Sequence, residues 1–170
     1  MLRVLLLAFM FLALTGCWVG RDLYSAIDAR PAIPAGVYRA TGGDTPARVY
    51  RVSMLPDGMT QFDSGEKKEV YGFAPLGPGT FVGWVQIEDA ATGDDPNQLY
   101  GLVMRQTDGL FMIYAPECKN EQAEIARKNG ATIESGSSPA CRFATRADLE
   151  KAMRQMPHVT ADALRLERIP

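Results

Sequence analysis

The sequence has little of what most active sites are built from, with one histidine, three cysteines and two tryptophans in 170 residues. A serine hydrolase triad would have to use His158, and no G-x-S-x-G nucleophile elbow is present. One histidine also disfavours a tetrahedral metal site, which needs about four ligands. An H-E-x-x-H motif, a phosphate-binding loop and a dinucleotide fingerprint are all missing. The sequence therefore predicts no catalytic residue, no metal and no cofactor.

The chain also lacks a strong charge of one sign. It carries 18 basic and 20 acidic side chains, a net charge of −2, and no basic stripe. Nucleic-acid binding is disfavoured because it requires many lysines and arginines on one face. A hydrophobic content of 46% argues against disorder, and the length is that of one ordinary domain.

The longest apolar run lies at the N-terminus. One basic residue, Arg3, precedes an uncharged stretch from Val4 to Leu14. This stretch is too short to span a bilayer, which takes about 20 residues, and it fits the apolar core of a secretory signal. The next residues, Leu14-Thr15-Gly16-Cys17, resemble the lipobox of bacterial prolipoproteins, in which an apolar residue and two small residues precede a cysteine.

This resemblance implies cleavage between Gly16 and Cys17 and acyl chains, such as palmitate, on Cys17. Two or three acyl chains anchor a protein to a membrane lastingly. In Gram-negative lipoproteins an aspartate after the cysteine favours the inner membrane, but here that residue is Trp18. The resemblance therefore implies the periplasmic face of the outer membrane rather than the inner membrane.

The expected organisation has three parts. Residues 1–16 are the signal peptide, residues 17–35 are the lipidated N-terminus with a proline-stiffened tether, and residues 36–170 are one globular domain. Cys118 and Cys141 are expected to form a disulfide, because the periplasm is oxidising. A reactive thiol or a metal-binding pair is the alternative.

The domain is expected to be α+β, with an antiparallel, strongly curved sheet or small barrel and two C-terminal helices. Apolar alternation, turns and capping residues predict the elements. The predicted strands are 37–40, 48–54, 59–62, 69–73, 80–87, 98–106, 110–114 and 164–169, and the predicted helices are 120–128 and a segment that Thr145 begins and Met156 ends. Six prolines are expected between or just after the strands, namely Pro46, Pro56, Pro75, Pro78, Pro96 and Pro116.

Three predicted strands contain a glycine beside aromatic residues. These glycines are Gly72, Gly83 and Gly101. Glycine within a strand indicates a bend or the close approach of a neighbour, so the three together favour a coiled sheet. The alternative is a groove that a ligand approaches. In that case Trp84, Tyr71 and Tyr100 would form a surface for a glycan or peptide, although filling of the core explains the same pattern.

The leading hypothesis is a non-enzymatic envelope lipoprotein that binds a protein or glycan partner. A second hypothesis is a periplasmic inhibitor of a lysozyme or protease, which would present residues 135–139 inside the disulfide loop. A third is a hydrolase that uses paired carboxylates among Asp57, Asp63 and Glu69. These three carboxylates flank predicted turns beside two lysines, which is typical of a solvated surface.

Overall fold

The computed structural model describes residues 17–42, 45–87, 97–136, 139–156 and 163–170. The predicted signal peptide and His158 lie outside these ranges. The strands are β1 (Trp18–Arg21), β2 (Gly36–Gly42), β3 (Thr45–Met54), β4 (Thr60–Asp63), β5 (Lys68–Gly77), β6 (Thr80–Ile87), β7 (Asn97–Thr107), β8 (Leu110–Tyr114), β9 (Thr132–Glu134), β10 (Ala140–Phe143) and β11 (Leu164–Ile169). The helices are a short 3-10 turn (Ala26–Asp28), α1 (Asn120–Lys128) and α2 (Arg146–Met153).

Eight of the strands form a closed antiparallel barrel. Around the ring they follow the order β2, β3, β4, β5, β6, β7, β8 and β11, and β11 pairs with β2. Consecutive strands from β2 to β8 are neighbours, which is the simplest arrangement for short connections. The prediction of a curved antiparallel sheet or small barrel with two C-terminal helices is confirmed at this level, in a fold that is mostly β.

Two hydrophobic cores lie on either side of the barrel wall. The inner core fills the barrel with alternate side chains, among them Tyr38, Tyr50, Phe62, Tyr71, Phe73, Phe111 and Leu166. The outer core is formed where α1, α2 and β10 cover the outside of β5, β6, β7 and β8, and it includes Trp18, Tyr24, Trp84, Tyr100, Phe143, Leu149 and Met153. Among the described residues, the barrel is therefore covered on one side only.

The three glycines lie close together on adjacent strands. Gly83 pairs with Gly101, and Gly72 pairs with Trp84. A Cβ atom on Gly72 would lie only 2.0 Å from Cζ2 of Trp84, and one on Gly83 would lie 3.1 Å from the ring of Phe73. The groups that approach these two glycines are thus aromatic side chains of the same chain.

Residues 18–35 differ from the predicted tether. β1 pairs antiparallel with β7 and parallel with β10. Because β8 ends at Tyr114, β1 continues the wall beside the first residues of β7. Trp18 and Ile33 are both fully buried. The tether prediction was therefore wrong, since this segment is part of the folded domain.

The predicted disulfide is confirmed. Cys118, between β8 and α1, is bonded to Cys141 in β10, with their Cα atoms 5.2 Å apart. The bond connects the start of the helical region to the strand that pairs with β1.

Two prolines are exceptions to the prediction that they lie outside strands. Pro46 lies in β3 and Pro75 lies in β5. The pairing of β5 with β6 shifts register between Pro75 and Gly77, and such irregularities accommodate a residue that cannot donate a backbone hydrogen bond. Among the helices that the structure describes, none has the length and hydrophobicity needed to span a membrane.

Candidate functional site

The predicted aromatic ligand surface does not form. Trp84, Tyr100 and Tyr71 are only 3%, 2% and 4% exposed. Trp84 and Tyr100 belong to the outer core, whereas Tyr71 lies inside the barrel. The barrel wall therefore separates Tyr71 from the other two side chains, and the alternative that they fill the core is correct.

Tyr24, which the sequence did not single out, covers Trp84. The two rings stack with centroids 4.9 Å apart. The backbone N–H of Tyr24 donates to the Oε1 atom of Gln98 at 3.1 Å, and the Nε2 atom of Gln98 donates to the Tyr24 carbonyl at 2.6 Å. Tyr100 donates its hydroxyl to the same Oε1 atom at 2.9 Å. A buried glutamine thus holds the N-terminal segment over the outer core.

Arg146 on α2 joins this segment to the helical side. Its guanidinium carbon lies 4.4 Å from the centroid of the Tyr24 ring. Its Nη1 atom donates to Asp28 and its Nε atom donates to Glu150, both at 2.7 Å. The pKa of Asp28 is lowered by the Ser25 backbone N–H and also by Arg146. Burial raises the pKa of Glu150, but the hydrogen bonds from Arg146 and Tyr24 outweigh it and lower that pKa. Because these charged groups are satisfied by one another, the network is structural.

Cys17, the predicted lipidation site, lies at the junction of β8 and β1. It forms an isolated antiparallel bridge with Glu117, and its carbonyl accepts the Cys141 N–H at 3.0 Å. Its side chain is not disulfide-bonded and is partly exposed. Burial and, secondarily, the charge of Glu117 raise the pKa of the Cys17 thiol. The adjacent residue, Trp18, is fully buried, so the position of Cys17 is fixed relative to the barrel wall.

The carboxylates considered for hydrolysis do not converge. Asp57 accepts the Met59 N–H in the turn between β3 and β4. Asp63 and Glu69 lie on the outer and inner faces of the β4–β5 pair, because Glu69 pairs with the inward-facing Phe62. Glu69 accepts from Tyr71 at 3.2 Å. The structure therefore does not bring these three residues together as an acid–base pair.

Two further predictions concern the disulfide loop and metal binding. Of residues 135–139, expected to form an inhibitory loop, residues 137 and 138 lie outside the described part of the chain. Within the described ranges, no group of three or more histidine, cysteine or acidic residues is arranged to hold a metal ion.

The remaining candidate is the uncovered side of the barrel, which we call the open wall and define as the outer faces of β11, β2, β3 and β4. A groove of about 370 Å³ lies on it. Its lining residues are Val37, Val49, Arg51, Asp63, Ser64 and Gly65. The groove combines two valines with charged and polar residues.

The open wall and Cys17 lie on opposite sides of the barrel. β3, at the centre of the groove, and β7, beside β1, are four strands apart in both directions around the eight-stranded ring. The sequence did not reveal this site, because the outward residues of any barrel strand alternate in the same way whether or not another element covers them.

Comparison with known proteins gives no match to a family model, to a curated protein sequence or to a solved structure.

Proposed function

We propose that this chain is a lipoprotein of the bacterial envelope, acylated on Cys17, whose barrel binds a protein or glycan partner without catalysis. The lipobox resemblance at residues 14–17 supports acylation and cleavage after Gly16. Trp18 occupies the position where an aspartate would favour the inner membrane, and this supports a location on the periplasmic face of the outer membrane. The separation of Asp57, Asp63 and Glu69, all within the described ranges, supports a binding role over a hydrolase that uses these carboxylates.

The observation that carries this proposal is the position of Cys17 relative to the open wall. The strand that follows the cysteine is built into the barrel beside β7, and the open wall lies on the other side of the ring. A lipid on Cys17 would therefore hold the covered side near the bilayer and leave the open wall free. Anchoring also raises the effective concentration of such a site for other envelope components.

Acylation is tested by expressing the full chain in a Gram-negative host and measuring the mass and membrane fraction of the product. We expect the mature protein to begin at Cys17, to carry the added mass of acyl chains and to be recovered with the outer membrane. The Cys17→Ser variant should show neither the acyl mass nor recovery with the outer membrane. The matched control is Cys118→Ala with Cys141→Ala, which should stay acylated because these cysteines are outside the lipobox. An unmodified N-terminus in the unaltered protein would refute the lipoprotein assignment.

Binding is tested separately by crosslinking in intact cells followed by affinity purification. A partner that is enriched with the anchored protein but not with the Cys17→Ser form is the expected result. If neither form enriches a protein or a glycan above the level of an unrelated lipoprotein, the binding role is wrong.

A further inference from the structure

We propose that the groove on the open wall binds an acidic segment of a partner protein, whose carboxylates are received by Arg39 and Arg51. The inference rests on the proposed function in one respect, since an anchor at Cys17 leaves this wall accessible. It adds the chemical nature of the partner, which the lipobox does not specify.

Strand register places two arginines and two valines together on the open wall. Val37 pairs with Arg51, and Arg39 pairs with Val49, across β2 and β3. The intervening residues face the barrel interior, so these four side chains face outward. Val49 is 49% exposed, a large fraction for an apolar side chain in a sheet. The outer face of this strand pair therefore carries one valine and one arginine on each strand.

The acidic residues that pair with these arginines on the neighbouring strands are engaged elsewhere. Asp63, which pairs with Arg51 across β3 and β4, accepts the Gly65 N–H at 2.7 Å and lies 3.7 Å from Lys68. Glu167, which pairs with Arg39, forms a salt bridge of 3.1 Å with a neighbouring arginine of β11.

Within the described part of the chain, neither Arg39 nor Arg51 forms a salt bridge, although the whole protein has a net charge of −2. The planar guanidinium group binds carboxylates through paired hydrogen bonds. Arg51 lines the groove and Arg39 lies beside it, paired with the lining residue Val49, so the two guanidinium groups are placed to receive an acidic ligand.

The size and composition of the groove favour a peptide over a polymer. A volume of about 370 Å³ accommodates a few side chains and is small for an extended polyanion. Val37 and Val49 offer apolar contact, which a peptide can use between its carboxylates. Arginine beside exposed apolar side chains is also a common composition of protein–protein interfaces.

The test uses a synthetic decapeptide of alternating glutamate and valine as the probe, with the glutamine–valine peptide for comparison. Binding to the full mature protein is measured by titration at low salt and at 0.5 M salt. We expect the glutamate peptide to bind in a salt-dependent way and the glutamine peptide to bind at least about tenfold more weakly.

The variants compare the open wall with the covered side. Arg39→Gln with Arg51→Gln should weaken glutamate-peptide binding by about tenfold or more, because two charge-assisted contacts are lost. Lys128→Gln with Lys151→Gln removes the same charge from exposed residues of α1 and α2 and should leave binding unchanged. Equal weakening in both double variants would show a non-specific charge effect and overturn the inference.

Other outcomes also decide the question. Tighter binding of inorganic polyphosphate than of the peptide, abolished by the same arginine substitutions, would replace the acidic segment with a polyanion and overturn the inference. Absence of glutamate-peptide binding by a protein that is acylated on Cys17 would refute the groove assignment alone. Binding by a protein that is not acylated would refute the anchor and leave the groove assignment in place.

Discussion

Replacing Gly72 with alanine should destabilise the protein through a clash with one side chain. A Cβ atom at this position would lie 2.0 Å from Cζ2 and 2.1 Å from Cε2 of Trp84, where ordinary contacts are 3.4–4 Å. The indole would have to move by more than an ångström. It is 3% exposed and stacks on Tyr24, so it cannot move without disturbing the outer core.

The expected loss combines three contributions. Overpacking a well-filled core costs about 1–3 kcal/mol. Loss of the stacking between Trp84 and Tyr24 adds about 0.5–1.5 kcal/mol. Replacing glycine also restricts the unfolded chain, which offsets about 0.4–1 kcal/mol of the destabilisation. We therefore expect Gly72→Ala to lower the free energy of unfolding by about 2–3 kcal/mol.

Urea unfolding of the variant and of Gly77→Ala provides the measurement. Gly77 lies in the same strand, but nothing lies within 4 Å of a Cβ atom built on it, so its substitution should be neutral or slightly stabilising. Combining Gly72→Ala with Trp84→Leu should cost less than the sum of the two single changes. A loss within about 0.5 kcal/mol of that for Gly77→Ala, or full additivity, would refute the clash.

Local patterns were sufficient for most of the barrel. Seven of its strands follow one another in the chain with short connections, so alternation and turn residues predicted each of them. The start of α2 was also readable, because the hydroxyl of Thr145 accepts the Asp148 N–H as the capping pattern predicts. α1 spans the predicted residues, and its N-cap is Lys119.

β1 was missed for a physical reason. Its first three residues, Trp18, Val19 and Gly20, are all buried, because β1 lies between two strands and beneath the outer core. A strand that is covered on both faces shows no alternation, and four residues are too few to reveal another pattern. Its partners, β7 and β10, lie far along the chain, so no local signal indicates the pairing.

The candidate site required knowledge of which parts of the wall are covered. Alternation within single strands did not separate the inward-facing Tyr71 from the outward-facing Trp84, which the sequence analysis grouped in one surface, and it does not show that Tyr24 covers Trp84. For the same reason Arg39 and Arg51 looked like any other outward residues. Only the packing of the helices on one side of the ring distinguishes them.

The remaining predictions concern the disulfide and the charged network. Replacing Cys118 and Cys141 with alanine should lower the free energy of unfolding by about 3 kcal/mol, because their sequence separation of 23 defines the loop closed in the unfolded chain. Urea unfolding measures this loss, and equal stability of the variant and the unaltered protein would contradict it. The pKa values of Asp28 and Glu150 are lower in the folded protein than their ordinary values of 3.8 and 4.5. The unfolded chain therefore binds more protons in acid, so the stability contributed by these carboxylates is present above about pH 5 and is lost as the pH falls through their folded pKa values. Arg146→Met removes a shared cause of both lowered pKa values and should flatten this acid loss in unfolding measured between pH 6 and pH 2. An equally steep loss in the variant would mean that Arg146 does not stabilise these carboxylates.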